Sequence, residues 1–325
     1  MVITVTPLGA ESLGVRSMAT YVETPDLKLL LDAGVSLGPR SRLPPHPMEY
    51  RALRNTRKLL RRYAKKCNRV TISHYHHDHY TATWNTTDYK WTWASKAEAE
   101  KIYGGNVVWA KDYREKINPS QRKRAFIFGQ VAKKFVKEMV YVDGSNLIVG
   151  GTEVTFSQPI PHGEDSSELG YVLAVKITQG DDHFLFVPDA QGPASEKTLR
   201  FILGEKPRTL YIGGPPTYLS EFKVSASIVQ TGIENLTKLV EVVSNVIVDH
   251  HLLRDEKSLT VIQKLGKIAK RHGNTVQTAA EYLGRDNSIL EARRHQLFED
   301  YPPSQEFRRW MKLALLQQRS HLPPL

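Results

Sequence analysis

Residues 69–79 read Arg-Val-Thr-Ile-Ser-His-Tyr-His-His-Asp-His. Arg69 to Ser73 is a short run with β-branched and apolar residues, as in a buried strand. It leads directly into His74, His76, Asp78 and His79. Imidazole and carboxylate are the donors that zinc and related divalent ions take. His74 and His76 stand two apart, so an extended backbone points both to the same side. Asp78 and His79 come after the chain begins to turn and can face a second ion. His77 points elsewhere in this pattern and stays outside the site. A histidine-rich surface loop is the plainer alternative, but it accounts poorly for four donors at this spacing behind an apolar strand.

The flanking sequence supplies more strands. On the N-terminal side, Val2–Thr6, Thr20–Glu23 and Leu27–Leu31 are strand-like, and the last ends at Asp32-Ala-Gly34. Pro47 to Lys66 predicts an amphipathic helix. Further on, Met139–Val142, Leu147–Val149, Glu153–Phe156, Tyr171–Ile177, His183–Val187, Thr209–Ile212 and Asn245–Val248 predict strands. Residues 81–138 differ in character and look like an aromatic and basic insert, with a helix over 120–138. Within it, Trp91, Trp93 and Trp109 fit a core better than a surface. Beyond Arg254 the sequence predicts a helical C-terminal region, with helices at 261–272, 275–283, 288–298 and 304–317. Strands with helices between and after them predict a layered α/β domain over residues 1–325.

Composition narrows the setting. The 325 residues carry 45 Lys and Arg against 34 Asp and Glu, a net charge of +11. Such a surplus favours acidic partners, nucleic acid above all, although a basic soluble surface explains it equally well. The single cysteine, Cys67, excludes an internal disulfide and fits a cytoplasmic protein. No window approaches the roughly 18 apolar residues of a membrane span, and the N-terminus lacks the pattern of a signal peptide. The oligomeric state is not legible.

More donors stand where strands run into loops. His162 lies in Pro-His-Gly, Asp189 in Val-Pro-Asp-Ala, and His250 and His251 follow Ile-Val-Asp. With Asp32 and the 74–79 cluster, these residues resemble, in order, the five motifs of the metallo-β-lactamase superfamily. The matches span residues 1 to about 255. The chain as a whole, including Asp249-His-His-Leu-Leu-Arg254 and the helical tail, looks most like an archaeal family of predicted hydrolases of this fold. The resemblance implies a four-layer αββα sandwich with the site at one edge between two sheets. It implies one metal on His74, His76 and His162, a second on Asp78, His79 and His250, and Asp189 bridging. His251 is the rival of His250, which strand register favours. It implies for Asp32 a bracing role behind the metal loop.

The resemblance also implies two divalent ions, zinc before manganese or iron. Two such ions roughly 3.5–4 Å apart lower the pKa of a shared water and generate a hydroxide nucleophile; Asp78 is positioned to take a proton. The expected activity is metal-dependent hydrolysis by a phosphodiesterase or nuclease acting on RNA or single-stranded DNA. The basic helix, the nearby aromatics and a Pro7–Ser17 opening similar to nucleic-acid-processing members favour it. The large extra domain of cleavage-factor nucleases has no room in the sixty or so residues between Asp189 and His250. A small-molecule hydrolase, such as a lactonase, thioesterase or small phosphodiesterase, is the alternative. A purely structural metal site accounts less well for an open set of donors.

Overall fold

The computed structural model describes residues 2–85, 89–219 and 225–325. Its strands are β1 (Thr4–Pro7), β2 (Thr20–Glu23), β3 (Lys28–Leu31), β4 (Arg69–Ile72), β5 (Val107–Ala110), β6 (Glu138–Tyr141), β7 (Asn146–Val149), β8 (Thr152–Phe156), β9 (Ile160–Pro161), β10 (Tyr171–Val172), β11 (Val175–Gln179), β12 (Asp182–Val187), β13 (Thr209–Ile212), β14 (Asn245–Val248) and β15 (Thr275–Gln277). The helices are α1 (Pro47–Ala64), α2 (Tyr89–Thr92), α3 (Lys96–Tyr103), α4 (Pro119–Ala132), α5 (Glu196–Glu205), α6 (Ala226–Val242), α7 (Ser258–Arg271), α8 (Ala279–Tyr282), α9 (Arg294–Asp300), α10 (Gln305–Met311) and α11 (Leu315–Ser320).

Two mixed sheets carry the fold. One runs β1-β2-β3-β4-β5-β6; the other runs β15-β14-β13-β12-β11-β8-β7. Three separate apolar clusters define four layers. Between the sheets lie Val22, Leu29 and Leu31 from the first, with Phe156, Ile177, Phe184 and Phe186 from the second. Burying side chains of this size contributes roughly 1.5–3 kcal/mol each before entropy is counted. On the outer face of the first sheet, Leu53 and Leu60 of α1, Ile102 of α3 and Phe128 of α4 pack on Leu30, Val70 and Val108. On the outer face of the second, Ile202, Leu236, Leu239 and Leu265 of α5, α6 and α7 cover Leu185, Leu210 and Val246. The order is therefore αββα.

Helix α1 has the expected amphipathic pattern, burying Tyr50, Leu53, Arg57, Leu60 and Ala64 along one side. Its start is fixed by a capping box: the His46 ring accepts the Met48 N–H at 3.3 Å, and Glu49 accepts the His46 N–H at 2.8 Å. Parallel pairing of β3, β4, β5 and β6, and of β12, β13, β14 and β15, requires helical crossovers. The carboxyl ends of those strands gather at one edge of the sandwich, where an open α/β sheet presents its site.

Several expected elements differ. Residues 81–138 supply β5 at the interior of the first sheet and helices of its outer layer. Trp109 is buried between the sheets, while Trp91 and Trp93 pack against the first outer core. The basic helix stops at Ala132 rather than continuing to 138. Thr275–Gln277 is a strand, not a helix, because β-branched Thr275 and Val276 pair with Asn245 and Val246 at the sheet edge. The helix expected over 288–298 begins only at Arg294; ahead of it the Ser288 N–H donates to the Ser12 carbonyl at 2.7 Å. The stretch 304–317 is divided between α10 and α11. Among the described residues no helix is long and apolar enough to cross a membrane.

Candidate metal centre

Asp189 follows β12 and organises the centre. Its Oδ2 lies 3.1 Å from His74 Nε2, 2.9 Å from His162 Nε2 and 3.7 Å from His76 Nδ1. Its Oδ1 lies 3.1 Å from His79 Nε2, 3.0 Å from His250 Nε2 and 3.9 Å from His251 Nε2. Asp78 Oδ2 stands 3.6 Å from His250 Nε2. The residues named from the sequence thus converge in two groups: His74, His76 and His162 on one oxygen of Asp189, and His79 and His250, with Asp78, on the other. His251 is brought in as well, at the longer distance. His77 belongs to neither group; its ring stacks on Tyr80 with centroids 5.5 Å apart.

Behind the donors, a second layer sets which nitrogen carries the proton. Asp32 is buried, and its carboxylate accepts the Ser73 N–H at 2.8 Å, the Ser73 hydroxyl, and the His79 Nδ1–H at 2.9 Å. Because Ser73 gives its proton to Asp32, its oxygen accepts from His74 Nδ1 at 3.0 Å. One carboxylate thereby directs the Nε2 lone pairs of both His74 and His79 toward Asp189. Asp32 does not line the cavity and stands behind the donors. Glu11 does the same for His250, accepting its Nδ1–H at 2.9 Å and the Arg254 Nε–H at 2.6 Å. The amide nitrogen of Gln121 stands 3.3 Å from His76 Nε2. Sequence reasoning missed Glu11, Ser73, Gln121 and Arg254.

The backbone is strained where the donors turn inward. Asp32, Asp189 and His250 have φ of 48°, 49° and 61°, a region side chains occupy at a cost. Gly34 lets two loops touch: a Cβ there would stand 2.2 Å from the Tyr80 nitrogen.

The electrostatics suit cations. Burial alone would push the Asp189 carboxyl up, but His79, His251, His250 and His162 outweigh it and hold the group well below the usual carboxylate range. Burial, then His79, lowers His74 well below an ordinary histidine. For His79 and His250 burial is also the largest effect and lowers both, yet Asp189 for the first and Glu11 for the second reverse it; His250 ends at about 9. A proton and a metal cation compete for those Nε2 lone pairs. Asp189 Oδ1 is buried and accepts no hydrogen bond despite two imidazole nitrogens at 3.0 and 3.1 Å. A cation between them answers that arrangement, and the donor set fits two divalent ions.

The centre opens on a cavity of about 390 Å³ walled by His76, Asp78, His162, Asp189 and His251, with Trp91, Leu169, Tyr218 and the guanidinium-bearing Arg16, Arg124 and Arg254.

No family model matches the chain. Relatives are similar over nearly its whole length. The UPF0282 protein of Pyrobaculum neutrophilum is 40% identical over 299 residues, 91% of this chain and 94% of that protein. The UPF0282 protein of Methanopyrus kandleri is 40% identical over 294 residues, 90% of this chain and 98% of its own. Among solved structures, the metallo-β-lactamase fold protein YhfI from Bacillus subtilis aligns over 85% of this chain and 95% of its own, at 13% identity and a TM-score of 0.42. The αββα layering, with donors at four strand ends and the bracing Asp32 at a fifth in the superfamily's order, is the metallo-β-lactamase fold. With 40% identity over nine-tenths of its length, the chain belongs to the UPF0282 family.

Proposed function

We propose that the protein is a metal-dependent phosphodiesterase acting on RNA or single-stranded DNA. The observation that carries the reading is the division of donors by Asp189: one carboxylate with histidines against each of its oxygens. His74, His76 and His162 with Asp189 Oδ2 would hold one ion; His79, Asp78 and His250 with Oδ1 would hold the other, with His251 the rival donor. Zinc suits this set first, then manganese or iron. Such a pair supplies an activated water and charge stabilisation at the attacked phosphoryl group.

The protein's own groups do the rest. Asp32, through Ser73, and Glu11 keep the imidazoles in the tautomer that presents Nε2. Asp78 stands at the cavity wall as proton acceptor, oriented by Arg254 at 3.3 Å. Arg16, Arg124 and Arg254 line the cavity and answer the charge of a phosphate; Arg16 and Arg254 also hold carboxylates, and among the described residues Arg124 has none within 4.0 Å. On α4, Arg124 lines the cavity, and Arg122, Lys123 and Phe126 are exposed elsewhere on the helix, cations and a ring of the kind that meet a backbone and a base. The cavity volume, in the usual range for small ligands, favours the alternative of a small phosphodiester or another small ester.

The test is to present metal-loaded protein with labelled RNA, single-stranded DNA, bis(p-nitrophenyl) phosphate and a thioester. The expected result is phosphodiester cleavage abolished by chelator, with RNA affinity falling steeply as salt rises. Cleavage confined to carboxylic esters or thioesters, or full activity in chelator, overturns the proposal.

A further inference from the structure

Beyond the metal donors, the Asp78 end of the cavity has a wall with more guanidinium than carboxylate. Arg254 donates to Glu11 at 2.6 Å, to the Tyr218 hydroxyl at 3.2 Å and to Asp78 at 3.3 Å. Arg16 is clamped by Glu291, Nε and Nη2 donating at 2.6 and 2.7 Å. Its remaining nitrogen, Nη1, lies against Gly38, where a Cβ would stand 2.4 Å from it. The Arg40 Cζ lies over the Tyr218 ring, 4.1 Å from the centroid. Among the described residues no carboxylate comes within 4.0 Å of its guanidinium, whereas Arg16 and Arg254 each have one. The three cations are close enough to perturb one another.

Once Asp78 is committed to a metal, Glu11 and Glu291 remain to balance Arg16, Arg40 and Arg254. A half-buried excess of positive charge is unfavourable unless an anion meets it. Guanidinium groups match phosphate oxygens with paired N–H donors. Its place over the Tyr218 ring restricts Arg40, so less rotamer freedom is lost when an anion arrives.

We propose that this cluster at the cavity's edge is a second phosphate subsite: Arg16 and Tyr218 on the wall, with Arg40 over the Tyr218 ring just beside it, bind the phosphate next to the one attacked at the metal centre. The position of the attacked phosphate rests on the phosphodiesterase reading. The neighbouring phosphate is either the next internucleotide link or a terminal phosphate, and substrate choice separates these sources. Arg254 joins the subsite to the centre by holding Asp78.

The test compares three substrates on the metal-loaded full chain: dithymidylate without a terminal phosphate, dithymidylate phosphorylated at either end, and trithymidylate. The subsite predicts a KM at least about tenfold lower for a substrate with a second phosphate. Preference for the phosphorylated dinucleotide alone identifies a terminal phosphate; preference for the trinucleotide identifies an internal one. In Arg40→Gln, which breaks no ion pair among the described residues, the KM ratio collapses toward one. Separately, calorimetric titration with inorganic phosphate should give two phosphates per wild-type chain and one per Arg40→Gln chain. Equal KM values for all three substrates in the wild type, or a ratio and stoichiometry untouched by the substitution, overturn the subsite. Absence of turnover on every substrate overturns the phosphodiesterase reading instead, and the phosphate stoichiometry then decides the subsite alone.

Discussion

Replacing Glu291 with glutamine tests whether the ion-pair wall beside the cavity holds the fold as well as the site. Glu291 is 7% exposed. It accepts two hydrogen bonds from Arg16, at 2.6 and 2.7 Å, and lies 4.0 Å from Arg294. Burial pushes its carboxyl up, but Arg16 and its hydrogen bonds, then Arg254 and Arg294, pull it from the ordinary 4.5 down to about 2. That difference corresponds to about 3 kcal/mol of stability. A carboxyl depressed in the folded state contributes fully above its unfolded value of 4.5 and loses the contribution as pH falls toward 2. Urea denaturation at pH 7 should therefore find Glu291→Gln less stable by about 3 kcal/mol. The gap between the two proteins should narrow by roughly 1.4 kcal/mol for each pH unit below 4.5. A loss under about 1 kcal/mol at pH 7, the level of an exposed pair, or a gap that does not narrow in acid, would refute the assignment of Glu291 as the buried anchor of Arg16.

Asp189→Ala or His76→Ala should sharply lower metal content by elemental analysis while the far-ultraviolet circular dichroism stays that of the wild type; a full complement of ions in both variants sinks the proposed centre. Glu11→Gln should weaken the more labile metal about 10–100-fold in competition with a chromophoric chelator, because His250 loses the acceptor that fixes its tautomer; unchanged affinity means that Glu11 serves Arg254 alone. Gly34→Ala should lower both Tm and metal content, since its Cβ would meet the backbone of His79 and Tyr80 at 2.2 to 2.5 Å; wild-type values for both would mean that the two loops can part without cost.

The donors were legible because each is a metal-binding side chain at the end of an apolar run, a pattern that local sequence carries. Their supports were not. Glu11 meets His250 across 239 residues, and its neighbours Ala10 and Ser12 give no hint of it. Ser73 lay in plain view beside His74, but its role depends on an aspartate 41 residues away. Arg254 had a local signal that went unused, since it sits four residues beyond His250 on one 3-10 turn. Residues 81–138 were set apart by their aromatic and basic composition, yet Val107–Ala110 is an interior strand whose outer helices happen to be basic on their wet side. Thr275–Gln277 became a strand only because Asn245–Ile247 offered an edge. Least legible was the strain. Positive φ at Asp32, Asp189 and His250 is a conformation where glycine costs least, so local propensity argues against these residues at these turns. Glycine would relax each turn and delete a donor or the carboxylate that orients one. The sharp turn after the strand is also what brings the short side chains of Asp32 and Asp189 back over the sheet edge, so the cost in backbone energy and the convergence of the centre have the same geometric cause.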